Sequence, residues 1–192
     1  IGRKMKKLFI IAVFAIFSAS SAMSASLGDL NFSIGVSGSH GAFAGEGTER
    51  NNDESGATKT TTTEYGAFTD SFGSIFVEAG NDIISVGLDY VPSAIGTPEN
   101  VSREGTGSSA AGNANNPGNS KVQVDFEDLT TVYVKVNLPL GGTYLKAGFH
   151  EVDVVINESM SSGNTYADTT TEGYSAGLGY AHSLDNGISV RA

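Results

Sequence analysis

The chain contains no cysteine and no tryptophan, and only four of its 192 residues are proline. Without cysteine there is no disulfide framework, no thiolate metal site and no thiol nucleophile. Basic residues are scarce as well. The formal charge is −10, from 11 Lys and Arg against 21 Asp and Glu. Four of those cations, Arg3, Lys4, Lys6 and Lys7, stand at the very start of the chain. The remainder of the chain is strongly acidic, which excludes nucleic acid as a partner, because phosphate binding needs a basic surface. A long apolar run is also missing. The longest, Leu8–Phe17 (LFIIAVFAIF), has about ten residues, half of the ~20 that a membrane-crossing helix requires.

That run has a different reading. Met5-Lys6-Lys7 supplies a basic start, Leu8–Phe17 an apolar centre, and Ser18–Ala25 (SASSAMSA) small residues for cleavage, which together make a secretory leader. Cleavage after Ala22 or near Ala25 is expected. No cysteine follows the apolar centre, so the leader is not of the lipoprotein type, and Ile1–Lys4 read as upstream translation. The chain thus divides into a leader, 1–25, and an exported domain, 26–192.

The exported part is rich in Gly, Ser, Thr and Asn, and its apolar residues alternate. The stretch Thr130–Phe149 (TTVYVKVNLPLGGTYLKAGF) sets the pattern. Val132, Val134, Val136 and Leu138 hold one parity against Tyr133, Lys135 and Asn137. After a Pro139–Gly142 turn, Leu145, Ala147 and Phe149 alternate with Tyr144, Lys146 and Gly148. Period-two alternation on both sides of a Gly/Pro break predicts an antiparallel hairpin with two chemically different faces.

Five further strands obey the same rule. Leu30–Ala44 places Leu30, Phe32, Ile34 and Val36 against Asn31, Ser33, Gly35 and Ser37. Ile75, Val77 and Ala79 oppose Ser74, Phe76 and Glu78. Ile84, Val86, Leu88 and Tyr90 oppose Ser85, Gly87 and Asp89, and Pro92 ends that strand. Tyr174, Ala176, Leu178 and Tyr180 oppose Ser175, Gly177 and Gly179. A last strand starts with Ile188 and Val190 opposite Ser189 and Arg191. The strand through Thr130–Leu138 extends back to Val122 in one parity, interrupted at Asp128. Beyond His150 the apolar residues move to Val152, Val154 and Ile156, which predicts a bulge or emergence from a membrane.

Short turns (Gly80–Asp82, Pro139–Gly142, Leu184–Gly187) alternate strictly with long polar connections (Gly45–Glu64, Ser93–Ser120, Asn157–Glu172). All the long connections therefore leave one end. That asymmetry is the one outer-membrane barrels have, with short periplasmic turns and longer extracellular loops. Asp128 and Glu151 break the apolar parity about nine or ten residues from their turns, the ~9–11 residues with which a tilted strand crosses hydrocarbon. Tyr90, Tyr174 and Tyr180 fall near strand ends, where aromatic girdles are expected. Small residues on the polar parity suit a narrow interior. The expected fold is all-β: an antiparallel up-and-down transmembrane barrel, polar inside and apolar outside.

The leader, the start LNFSIGVSGS, and the units SVGLDYVP (Ser85–Pro92), TYLKAGF (Thr143–Phe149) and GYSAGLGYAHSLDNGISVRA (Gly173–Ala192) resemble the small outer-membrane β-barrel family. That family includes OmpA-type transmembrane domains, OmpX- and OmpW-like proteins and opacity proteins. The resemblance implies about eight antiparallel strands, insertion by the outer-membrane assembly machinery, and contact with lipid and lipopolysaccharide. Its loops would meet an extracellular ligand, a phage or a host surface. The family ends on a strand with a terminal aromatic residue, whereas six complete strands and the start of a seventh are visible here. The chain is therefore expected to be a truncated product, with several copies completing one barrel as the alternative.

On the polar parity, Glu78, Lys135, Lys146 and Arg191 each stand a few residues from a short turn, so they are expected at one level of the lumen, with Asp89 higher. Glu78 is expected to pair with one or more of the cations, as an internal stabilising network or as a gate. The histidines raise a hydrolase alternative, with His40 near Ser39 and His150 near Asp153 and His182 beside a turn. No spacing demands such a pair, so no catalytic, cofactor or metal residues are assigned. A soluble exported barrel carrying an apolar ligand is the remaining alternative.

Overall fold

A computed structural model describes residues 13–27, 30–52, 58–103, 119–159, 165–184 and 188–192. They form ten strands: β1 Val13–Leu27, β2 Leu30–Asn52, β3 Thr58–Gly80, β4 Ile84–Tyr90, β5 Ile95–Gly96, β6 Asn100–Arg103, β7 Asn119–Asn137, β8 Thr143–Ser159, β9 Thr169–Ser183 and β10 Ile188–Arg191. No helix occurs among the described residues. The fold is an antiparallel up-and-down sheet in the order β4-β3-β2-β1-β10-β9-β8-β7. In addition β4 pairs with β7 over Ile84–Tyr90, so the ladders lead from β4 back to β4. Short β5 and β6 lie on β7 beyond the end of β4.

The chain clusters into two compact units, residues 18–39 with 71–192, and residues 1–17 with 40–70. In the smaller one the buried Phe43 stacks on Phe68, ring centroids 4.8 Å apart. The stretch Gly45–Glu64 reads as a polar loop whose threonines could continue a strand; strand structure runs to Asn52 and resumes at Thr58. Threonines suit extended backbone.

In the larger unit the two parities separate by burial, and in the sense opposite to a soluble protein. Ile34, Val36, Ile75, Val77, Val86, Leu88, Val132, Val134, Leu145 and Leu178 are all exposed, while Ser74, Glu78, Ser85, Thr131, Lys135 and Arg191 are buried. The short turns explain the tight reversals. Asn81 Oδ1 accepts from the amides of Ile83 and Ile84, 2.9 Å each. Gly141 and Gly142 take φ of 58° and 94°, conformations a side chain would strain. Asp185–Gly187 of the third turn lies outside the described residues.

Two expectations are corrected. The open edge expected beside Ile188–Arg191 is paired on both sides: β10 lies on β9 and on β1, with Ser20–Met23 facing Ile188–Arg191. The stretch read as the end of the leader thus forms a strand in this chain. Residues 1–12, which carry the basic stretch read as the start of a leader, lie outside the described residues.

The other correction concerns the bulge. It lies on β7 at Asp128, where the β7–β8 register shifts between Glu127 and Thr130 and φ is 53°. On β8 the pairing with β9 is continuous from Thr143 to Val154. One β8 face therefore carries Lys146, Gly148 and His150 and then the buried Val152 and Val154. The chemistry changes while the parity stays. On β7 the extra residue turns Phe126 onto the face of Val154, although it shares sequence parity with Val132, which stays exposed opposite Phe149. Val91, Ile95, Val152 and Val154 are all buried beyond this level.

Replacing Asp128 with Val is expected to cost about 1–2 kcal/mol, the penalty of a left-handed backbone with a Cβ-branched residue. Asp128→Asn, which tolerates that backbone, is expected to keep its stability. Urea unfolding of the two variants checks this.

Candidate functional site

The ladder registers arrange the buried face in rows. One row holds Ser85, Lys135, Lys146 and Gly177; the next holds Glu78, Gly87, Tyr133, Gly148 and Ser175; a third holds Phe76, Asp89, Thr131, His150 and Gly173. Lys135 and Lys146 are thus direct cross-strand neighbours, a destabilising placement for like charges. The structure resolves it by sending them to different acids.

Glu78 is the hub of the first group. Its Oε1 accepts from Lys135 Nζ at 2.5 Å and from Arg191 Nη2 at 3.2 Å. Its Oε2 accepts from Arg191 Nη1 at 2.8 Å and from the Tyr133 hydroxyl at 3.0 Å. One carboxylate therefore takes four charge-assisted or hydroxyl bonds, and its side chain is only 5% exposed. Such a bidentate arginine pair is among the stronger protein hydrogen bonds. Lys146 goes instead to Asp89, 3.9 Å away, and lies 3.8 Å from the Tyr133 ring centroid, a cation–π distance. Asp89, expected higher in the same cluster, stands two rows above Lys146 and is joined to it by that ion pair.

Aromatic rings pack the space between these charges. Arg191 lies 5.2 Å from the Phe76 ring centroid and Lys135 5.7 Å from that of Tyr144. Tyr133 fits because Gly87 faces it in register: a Cβ on Gly87 would collide with the ring. Tyr144 occupies the corresponding space over Gly179. Tyr133, Tyr144 and Phe76 were not singled out as site residues from the sequence. For Tyr133 and Tyr144 the signal was a large ring on the polar parity paired in register with a glycine, visible only once the register is known.

The three tyrosines expected at strand ends sit on the exposed side of the sheet. Tyr90 donates to Asp128 Oδ1 at 2.5 Å. Tyr174, 86% exposed, meets Phe149 edge-on at 5.4 Å. Tyr180 lies beside the Gly142 turn, and Tyr174 lies further from that turn on the same strand. One row beyond Phe149 and Tyr174, the exposed face changes abruptly to Glu151 opposite Glu172.

The histidines do not assemble a hydrolytic pair of the kind the sequence suggested. His150 Nδ1 lies 2.7 Å from Thr131 Oγ1 on the buried face, whereas Asp153, on the opposite parity, bonds Thr170. His40 is exposed. Among the described residues no group of three His, Asp or Glu is placed to hold a metal ion.

No family model, no curated protein and no solved structure matches this chain. Its function is therefore read from its own geometry.

Proposed function

We propose that this chain is a non-enzymatic outer-membrane β-barrel, structural or with a narrow lumen plugged or gated by the Glu78 cluster, and with extracellular recognition loops. The observation that carries the reading is the inverted burial: hydrocarbon exposed on one face, and a carboxylate, a lysine and an arginine buried on the other. In water that arrangement has no driving force; in lipid it places apolar surface against acyl chains and charges where they pair. The β4–β7 ladder supports closure, since a sheet in lipid must leave no unpaired edge.

The dimensions agree with such a span. From Asn137 at the turn to Asp128 is about nine residues, ~30 Å along the strand, and a tilt of about 40° projects this to ~23 Å, near the ~25 Å apolar band of such barrels. Tyr180 lies at the turn end of this stretch, Tyr174 stands further along the same exposed face, and Glu151 and Glu172 pair one row beyond Tyr174. Lipid and lipopolysaccharide are accordingly the partners of the exposed face, and the assembly machinery the route of insertion. An apolar-ligand carrier would need an apolar interior, and a face that buries Glu78, Lys135 and Arg191 among the rings of Phe76 and Tyr133 does not supply one.

Export through a cleaved leader belongs to the same proposal. Fractionated cells are expected to yield the protein in the outer membrane, with an N-terminus at Met23 or Ser26. Cleavage there would remove most or all of the segment of β1 that pairs with β10, so a closed sheet would then need another strand at that edge. Recovery as a soluble periplasmic protein would contradict the membrane reading, and an outer-membrane form that retains Met5 would make β1 a permanent strand and not a leader.

A further inference from the structure

The exposed hydrocarbon face is not evenly filled. A groove of about 630 Å³ crosses β2, β3, β4 and β7, walled by Phe32, Ile34, Val77, Val86, Leu88 and Val132. These side chains are 43% to 62% exposed, so the groove opens on the face turned away from the Glu78 hub. The ladders bring the walls together: Val77 stands opposite Leu88, and Leu88 opposite Val132. Ala79, opposite Val86, contributes only a methyl group, which leaves room between its larger neighbours.

Nothing in the groove can hold a polar ligand. Ser33, Glu78 and Gly87 border it, but their strand parity turns a side chain to the other face. The Glu78 carboxylate is held there by Lys135, Arg191 and Tyr133. What these residues present to the groove is backbone, and it is taken up by the ladders, since β3 lies between β2 and β4 and β4 between β3 and β7. A peptide lying in the groove would therefore strand its own N–H and C=O groups. A second copy could touch it with side chains alone, and apolar surfaces in lipid have no hydrophobic drive to associate. A hydrocarbon chain brings no polar group, and it restores to the walls the dispersion contacts that an empty concavity forfeits.

The level of the groove names the leaflet. On β3 and β4 it begins at Ala79 and Val86, beside the Gly80–Asp82 turn. On β7 it reaches Val132, five residues from Asn137 and four from Asp128. It thus occupies the half of the apolar span nearer the short turns, which in outer-membrane barrels are periplasmic.

We propose that this groove seats an acyl chain of a phospholipid from the periplasmic leaflet. The inference rests on the membrane-spanning reading of the exposed face and adds to it one preferred lipid position on the barrel wall.

The test uses the full chain refolded into vesicles of phosphatidylethanolamine and phosphatidylglycerol, floated on a density gradient and released into mild detergent for native mass spectrometry. A phospholipid is expected to stay bound to the chain. Ala79→Phe fills the groove and is expected to lower the bound fraction several-fold; Ala79→Leu, a smaller filler that the sheet accommodates more easily, is expected to lower it less. Ala147→Phe, on the same exposed face of β8 but outside the groove, is expected to leave it unchanged. A chain that retains no phospholipid, or equal retention in the position 79 and position 147 variants, would overturn the proposal. So would a dimer that Ala79→Phe dissociates, which would assign the groove to a second copy. Protein that fails to float with the vesicles would instead overturn the membrane-spanning reading, and the groove's lipid with it.

Discussion

Glu78→Ala is expected to destabilise the folded chain by about 3–5 kcal/mol, the cost of removing one partner from a buried ion pair. The loss exceeds that of an ordinary core truncation because two cations are stranded together. Lys135 and Arg191 would remain on a face from which water is largely excluded, with Tyr133 deprived of its acceptor. Neutralising the partners reverses the effect. The triple variant Glu78→Gln, Lys135→Met, Arg191→Met leaves no buried charge at the hub and is expected to recover most of the stability, since a hydrophobic replacement of a buried pair is often neutral. Urea unfolding in lipid vesicles measures both. In planar bilayers, Glu78→Gln is expected to raise single-channel conductance if the hub gates the lumen; unchanged conductance in Glu78→Gln and in Lys146→Met would leave it a purely structural plug.

Val134→Arg is the second large effect, and its sign depends on the solvent. Val134 lies on the exposed face of β7, 40% accessible, between the turn and Asp128. In water, an arginine there would be neutral or would improve solubility. Against acyl chains, an arginine near the bilayer midplane costs about 2–4 kcal/mol. A drop of that size in vesicles, with little change for the same substitution at Glu151, is the expected result. Equal and small effects at both positions would remove the lipid from the account.

Much of this was legible in the alternation. The hairpin Thr130–Phe149, the strand from Ile84 to Tyr90 and the pairing of short turns with long connections follow from period-two patterning and turn residues alone. The charged residues of the buried face could be assigned to one region because each stands a fixed few residues from a turn. The partition among them was not legible. Which acid serves which lysine depends on the register, and the register puts Lys135 beside Lys146, Gly87 beside Tyr133 and Asp89 within reach of Lys146. The bulge at Asp128 was hidden for a related reason. An inserted residue leaves the sequence parity of Val122, Val124 and Phe126 intact while turning the strand over, so a constant pattern in the sequence concealed an inversion in space. On β8 the opposite happened: the pattern broke while the strand ran straight. The pairing of Ser20–Met23 with β10 was masked by their reading as a cleavage region, for which small residues are equally suited.

The absence of cysteine makes the central claim directly measurable. Single cysteines placed one at a time along β4, from Ile84 to Tyr90, can each carry a spin label in the otherwise unlabelled chain refolded into vesicles. Labels at 84, 86 and 88 are expected to be relaxed by oxygen, which concentrates in lipid, and not by a water-soluble nickel reagent. Labels at 85, 87 and 89 are expected to be shielded from oxygen, giving a strict period of two. Nickel accessibility at 84, 86 and 88 would place that hydrocarbon face in water and contradict the membrane-spanning account.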